Sequence, residues 1–282
     1  MGDRDEQDSV RDGSLHEHCR TRRGVHAPSD GLLSFVALAW GTTWLLSLPL
    51  VWNRVRGLPP RPFTIALAAL SAFGPSVAAF LVARRQRRLR EVFGRFRTHP
   101  LWLGAGLLAP MSLHLIARVG EYALGGHVAR WLWLPRTSSQ LAALVVFSLG
   151  EEFGWRGFAH PRLLDRYGPV LGPIVTGLIW GIWHLLYVVT PQGSVEVTQF
   201  ALMLLEFMLW GLVIAWFFER TQRSLAVALS IHAGGHLDNS AQIPADQWRL
   251  RALVLLVLAV AALLAAHSLR AEWRGKPRSA AS

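Results

Sequence analysis

The sequence is poor in cysteine, lysine and tyrosine. Its 282 residues include three tyrosines and one cysteine, Cys19, and Lys276 is the only lysine. A single cysteine excludes an intramolecular disulfide, so nothing in the sequence indicates an oxidising compartment. The net charge of +11 is therefore carried almost wholly by arginine.

A nucleic-acid-binding role is the first function that this charge balance suggests, and the distribution of the charge excludes it. A nucleic-acid-binding domain gathers its basic residues on one polar face. Here the arginines fall between long apolar segments, where the excess of positive charge in cytoplasmic loops of membrane proteins explains them. We therefore expect a lipid bilayer as partner and no nucleic acid.

The sequence is rich in long apolar runs. Apolar residues make up 52% of the chain, 13 tryptophans are present and the mean hydropathy is +0.30. About 20 apolar residues cross a bilayer as a helix. The sequence therefore predicts an all-α, polytopic membrane protein of about eight transmembrane helices, at roughly 31–52, 62–83, 101–118, 139–158, 173–190, 198–218, 224–245 and 250–268.

The loops between these segments predict the topology and the domain organisation. Seven arginines lie in loop 84–97, and loop 191–197 contains no Lys or Arg, so the positive-inside rule places both termini in the cytoplasm. The loop at 53–61 is the exception, because this topology places it on the outer side of the membrane although it carries Arg54, Arg56 and Arg61. The predicted divisions are a disordered cytoplasmic tail at 1–30, three spans at 31–138, a core of four spans at 139–245, and a last span with a basic tail at 246–282.

Ionisable residues inside apolar spans are costly and indicate function. The fourth span carries Glu151, Glu152 and Arg156. On an α-helix Glu152 and Arg156 are four residues apart and can pair, whereas Glu151 points about 100° away. We therefore expect Arg156 to neutralise Glu152 and Glu151 to keep a free carboxylate.

Three histidines in later spans extend this candidate site. His184 follows Trp180 by one turn in WGIWH, and His232 precedes His236 by one turn in HAGGH. If the fifth helix starts at Pro173, then Glu151, His184 and His232 lie about 15, 16 and 12 Å from the cytoplasmic face at ~1.5 Å per residue. A start at Gly168 would move His184 to about 24 Å and weaken this coincidence.

A carboxylate near two imidazoles and away from bulk water suits hydrolysis, because the carboxylate can activate water and the imidazoles can stabilise an oxyanion. Neither GxSxG nor HExxH occurs. His232 and His236 have the spacing of a helical metal chelate, and Glu151 and His184 would complete four ligands. Zn²⁺ is therefore a candidate cofactor, although the preferred mechanism requires no cofactor.

The motifs EEFGWR (151–156), WGIWH (180–184) and HAGGH (232–236) resemble the ordered motifs EExxxR, FxxxH and HxxxN of the CPBP family. This family includes the type II CAAX prenyl endopeptidases and bacterial Abi-type membrane proteins. The resemblance covers residues 139–245. It implies that Glu151 activates water, that His184 holds it, that His232 and the residue at 236 stabilise the oxyanion, and that Glu152 and Arg156 support the site.

Two positions depart from the family motifs. Trp180 replaces the usual phenylalanine, and His236 replaces asparagine, so that an imidazole stands where the family has an amide.

The resemblance implies an intramembrane endopeptidase acting on a peptide or protein substrate. The alternatives are a catalytically silent membrane protein, such as an immunity factor that binds a peptide, and a proton-coupled transporter, which the absence of internal repeats disfavours. The preference for arginine over lysine is typical of GC-rich bacteria, so the expected location is the bacterial inner membrane.

Overall fold

A computed structural model describes residues 31–132, 137–237, 243 and 246–275. Helices make up most of this part, and no strand occurs in it. The α-helices are Leu32–Val55 (α1), Pro62–Ser71 (α2), Gly74–Arg85 (α3), Leu89–Phe93 (α4), Pro100–Ala123 (α5), Ser138–Glu152 (α6), His160–Trp183 (α7), Val197–Arg220 (α8), Leu225–Leu237 (α9) and Trp248–Gly275 (α10). A π-helix, Phe153–Ala159, joins α6 to α7, and a 3₁₀ turn, His184–Val188, follows α7.

The predicted all-α, polytopic class is confirmed, with a different count of spans. Five helical runs of the described residues are long and apolar enough to cross a membrane, or six if α2 and α3, which meet at 46°, form one bent span. The run 140–188 counts once, although it contains two of the eight predicted segments. Helix α9 has only 13 residues, fewer than the ~20 needed for a full crossing.

The chain reverses direction at Gly168 within that long run. Gly168 has φ +79°, a left-handed conformation that favours glycine. Beyond it, Gly172 lies so close to Leu163 and Leu164 that a Cβ would come within 2.7 Å of the Leu163 carbonyl oxygen. Residues nine apart on a straight helix would be about 13 Å apart along the axis, so α7 is a hairpin of two legs.

The expected helix start at Pro173 is therefore wrong, because the second leg begins directly after Gly168 and Pro173 lies inside it. The first leg is also longer than predicted, since it runs past Pro161 to the same bend. Glu151 precedes Gly168 by 17 residues and His184 follows it by 16. Both legs lengthen together, so the two side chains still stand at one level.

Close helix packing fixes the other walls of the bundle. A Cβ on Gly177 of α7 would overlap the carbonyl oxygen of Phe207 in α8. In the same way, a Cβ on Gly234 of α9 would overlap the carbonyl oxygen of Leu107 in α5. Small residues allow such backbone approach where lipid gives helices no hydrophobic reason to associate. Many large apolar side chains outside these contacts are exposed, as lipid-facing residues are.

The contacts between loops agree with the predicted alternation of sides. Arg162 donates to Gln86, and the backbone N–H of Leu225 donates to the Arg95 carbonyl, so three loops predicted to be cytoplasmic meet. Arg54, from the loop expected outside, donates to the Tyr187 and Val189 carbonyls at the end of the 3₁₀ turn. The predicted tails at 1–30 and 276–282 lie outside the described residues, and the divisions at 31–138, 139–245 and 246–282 stay predictions.

Candidate active site

Glu151 is buried at the end of α6, with 4% of its surface exposed. The indole N–H of Trp180 donates to its Oε2 at 2.7 Å, and its Oε1 lies 3.8 Å from Nε2 of His232. Trp180 therefore does more than supply an aromatic ring at the family's phenylalanine position, because it anchors this carboxylate. One carboxylate oxygen is held and the other faces an imidazole.

Glu152 is fully buried and has a different environment. Its Oε1 accepts from Arg156 NH1 at 2.9 Å and from Nδ1 of His232 at 2.6 Å. The expected Glu152–Arg156 pair thus forms, although the π-helix that starts at Phe153 replaces the α-helix on which the prediction was based. Such π-helical turns are frequent at functional sites.

Arg156 completes a group that we call the charged cluster, made of Glu151, Glu152, Arg156 and His232. Its guanidinium carbon lies 4.3 Å from the ring centre of Trp180, which is a cation–π contact. All four members of the cluster are buried. Buried charges persist when they are paired and hydrogen-bonded, and this cluster balances two carboxylates against two bases.

Two histidines of the site, His232 and His184, are oriented by fixed acceptors. His232 donates Nδ1–H to Glu152, which directs Nε2 towards Glu151. His184 donates Nδ1–H to the Trp180 carbonyl at 2.9 Å, which leaves Nε2 for other partners. The rings of Trp180 and His232 lie 5.3 Å apart, so the second and third motifs are in contact.

His236 stacks on His232, with ring centres 4.8 Å apart. Its Nε2 is buried and has no hydrogen-bond partner in the described part of the chain. Asn239, a second residue able to supply the family's amide, lies outside the described residues. The imidazole of His236 is therefore the group that the structure places at this motif position.

Glu151, His232 and His236 also meet the requirements of a metal site in part. Each offers one ligand atom, and these three atoms lie within 4.8 Å of one another. The hydrogen bond from His232 to Glu152 is of the kind that orients histidine ligands of zinc. Ligand atoms of one Zn²⁺ lie about 2.0–2.2 Å from the ion, so the side chains would have to draw together. The residue types fit Zn²⁺; His184 is not in this group.

A cavity of about 390 Å³ opens beside these residues. Its walls are mostly apolar and aromatic, with Trp180, His184, His232 and His236 among the lining side chains. The structure thus brings all seven sequence-predicted residues to one place, with Glu151, Glu152 and Arg156 directly behind the cavity wall. A lining of this kind, apolar with a few polar groups, is typical of ligand sites.

Two lining residues were missed by the sequence analysis, Glu206 and Tyr187. Glu206 is a carboxylate within the apolar run of α8, and the rule that drew attention to Glu151 should have drawn attention to it. Tyr187 gave no such signal, because a tyrosine near the end of a span is common.

The fold and this site define an integral membrane protein with a buried carboxylate, arginine and histidine centre. Residues 131–237 match the family described as type II CAAX prenyl endopeptidase Rce1-like. The chain is also similar to a CAAX prenyl protease 2 of Methanococcus maripaludis, with 28% identity over 98 residues. Both findings support the CPBP family, as the three motifs predict. The match covers 33% of this chain and about a third, 36%, of that relative.

Proposed function

We propose that this protein is an intramembrane endopeptidase, in which Glu151 activates a water molecule for attack on a peptide carbonyl. The observation that carries the proposal is the unequal environment of the two adjacent carboxylates. Glu152 accepts from both Arg156 and His232, whereas Glu151 accepts one indole N–H and keeps an oxygen beside the histidine. Oε2 of Glu152 also has no hydrogen bond among the described residues, but it is buried away from water, whereas Oε1 of Glu151 faces Nε2 of His232 at 3.8 Å. A base needs a free oxygen near the reacting water, so Glu151 is the better placed of the two.

The remaining groups take roles that follow from their hydrogen bonds. Glu151 removes a proton from water while the hydroxide adds to the carbonyl carbon, and the same proton passes to the amide nitrogen as the C–N bond breaks. His184 holds the water through Nε2. Protonated His232, charged between two carboxylates, donates from Nε2 to the developing oxyanion. If Zn²⁺ is bound, Glu151, His232 and His236 would hold it, and it would supply Lewis-acid catalysis.

The substrate is proposed to be a peptide segment of a membrane-associated protein. The cavity walls are mostly apolar, so they suit apolar side chains that come from the bilayer. The relative is named a CAAX prenyl protease, which makes lipidated peptides the first to test.

The test is cleavage of a fluorogenic peptide library by the detergent-purified protein, with and without chelator. Glu151→Gln keeps shape and removes the base, so turnover per folded molecule should fall by ~100- to 10,000-fold. Glu196→Gln, at an exposed position before α8, is the matched control and should retain activity. Full activity in folded Glu151→Gln would exclude the glutamate base.

A catalytically silent peptide-binding protein is the second candidate, and His236 in place of the family's asparagine is the observation that favours it. Binding of peptides without cleavage of any of them by the native protein would support this alternative.

We further propose that both termini face the cytoplasm of a bacterial inner membrane. Cysteines at Arg90 and Gln192, introduced into a Cys19→Ser background, occupy exposed positions on opposite predicted sides. An impermeant maleimide should label Gln192→Cys in intact cells and Arg90→Cys only after permeabilisation. Labelling in the reverse order would invert the topology.

A further inference from the structure

The 3₁₀ turn His184–Val188 carries His184 and lacks strong internal support. A 3₁₀ turn has poorer hydrogen-bond geometry than an α-helix, and none of its five residues is fully buried. The imidazole of His184 bonds to the Trp180 carbonyl and packs against Phe207, but the turn that carries it must be held by contacts from elsewhere in the chain.

Those contacts come from the first two helices. Three hydroxyl side chains of α1 and α2 meet one aromatic side chain at the end of α7 and one in the 3₁₀ turn. We call this group the hydroxyl clamp: Thr43, Ser47, Ser71, Trp183 and Tyr187. The indole N–H of Trp183 donates to Thr43 Oγ1 at 2.8 Å, and Thr43 donates to the Ser71 carbonyl at 2.7 Å. This chain of bonds fixes the residue before His184.

The other half of the clamp fixes the residue three positions after His184. Tyr187 OH lies 2.7 Å from Ser71 Oγ. Ser71 donates its single hydroxyl hydrogen to the Ala68 carbonyl and accepts from Ser47. Ser71 can therefore only accept from Tyr187, so Tyr187 is the donor.

His184 stands between the two anchored residues and touches both. Its ring centre is 4.6 Å from that of Trp183 and 5.8 Å from that of Tyr187. Tyr187 itself lines the same cavity as His184. A shift of the Tyr187 ring would therefore move the imidazole within the cavity.

We propose that Tyr187 is a positioning residue, whose hydrogen bond to Ser71 holds the 3₁₀ turn and so sets the place of the His184 imidazole in the cavity. Its catalytic consequence rests on the proposed peptidase function. The clamp also gives α1 and α2, which lie outside the matched residues 131–237, a part in building the site.

Hydrogen exchange measured by mass spectrometry tests the clamp without reference to activity. In Tyr187→Phe and in Ser71→Ala, exchange of residues 184–190 should accelerate by about 2- to 12-fold, the effect of one net hydrogen bond, while residues 225–237 stay unchanged. The double variant should exchange no faster at 184–190 than Ser71→Ala alone, because Ser71→Ala already removes the bond to Tyr187, together with the bonds to Ala68 and Ser47. Tyr122→Phe, at an exposed ring on α5, is the matched control.

Kinetics separate positioning from general support of the fold. For a cleaved peptide, kcat of Tyr187→Phe should fall by about 2- to 12-fold with KM unchanged, because the turn that places His184 moves while the rest of the cavity wall keeps its place. Unchanged exchange at 184–190, or additive effects in the double variant, would overturn the proposal. Faster exchange in a protein that cleaves no peptide would leave the clamp standing and reject the peptidase function.

Discussion

The charged cluster and the hydroxyl clamp hold two sides of one cavity by different means. In the cluster, Glu152 accepts charge-assisted hydrogen bonds from Arg156 and His232, and Glu151 lies 3.8 Å from His232, with all four groups buried. The clamp joins Trp183 and Tyr187 to three small hydroxyls through neutral hydrogen bonds. Charged groups are costly to bury and costly to separate, whereas neutral bonds contribute about 1 kcal/mol each. We therefore expect the side that carries the base to be harder to displace than the side that carries His184.

The largest effect on stability is expected from Glu152→Gln. The amide neutralises neither Arg156 nor His232, and a buried charge without its partner costs ~3–5 kcal/mol. The unfolding midpoint in detergent and the yield of stable protein measure this loss. Glu91→Gln is the matched control, because its partner Arg88 is 3.7 Å away at an exposed site, where such pairs contribute less than ~1 kcal/mol. Equal losses in the two variants would show that burial does not decide the strength of these pairs.

An intermediate effect is expected on the other side of the cavity, from Thr43→Val. Valine keeps the shape of the side chain and leaves the buried indole N–H of Trp183 without an acceptor, which costs ~1–3 kcal/mol. Thr198→Val, at an exposed position of α8, should change the unfolding midpoint little. A loss as large as that of Glu152→Gln would remove the distinction between the two sides.

The same difference explains what could be predicted from the sequence. The predicted site residues are ionisable groups in apolar runs, which are rare: Glu151, Glu152, Arg156 and the histidines. Their rarity identified them, and the similar depth predicted for Glu151, His184 and His232 in the membrane supported the choice. The common depth of Glu151 and His184 was predicted from wrong helix ends. It still holds, because both legs of the hairpin extend to Gly168 and so lengthen by similar amounts. The all-α class followed from the length of the apolar runs.

The clamp gave no comparable signal. Serine and threonine are ordinary in spans, where they can bond to their own helix, so Thr43 and Ser71 were indistinguishable from other small polar residues. Trp180 was recognised by its place in the motif, but its hydrogen bond to Glu151 depends on tertiary packing. The π-helix at Phe153–Ala159 also escaped prediction, because the pattern there fits an α-helix equally well.

The smallest effect is expected from His236→Asn, which restores the family's residue beside the charged cluster. An asparagine amide can donate the hydrogen bond that a neutral imidazole donates, so turnover should change by less than about tenfold, the effect of one hydrogen bond. His127→Asn, at an exposed position, is the control for the substitution itself.

This variant also decides between the two chemistries that the cluster allows. Asparagine is a poor ligand for zinc, so a metal held by Glu151, His232 and His236 would be lost with the imidazole. Without a metal, zinc content measured by mass spectrometry stays at background in both proteins and chelator leaves turnover unchanged. A stoichiometric zinc ion in the native protein that is absent from His236→Asn, with a loss of turnover above ~100-fold, would replace the glutamate mechanism by a metal-assisted one. In that case Glu152 would act on the reaction by orienting His232 as a ligand, because their 2.6 Å hydrogen bond fixes which ring nitrogen is free.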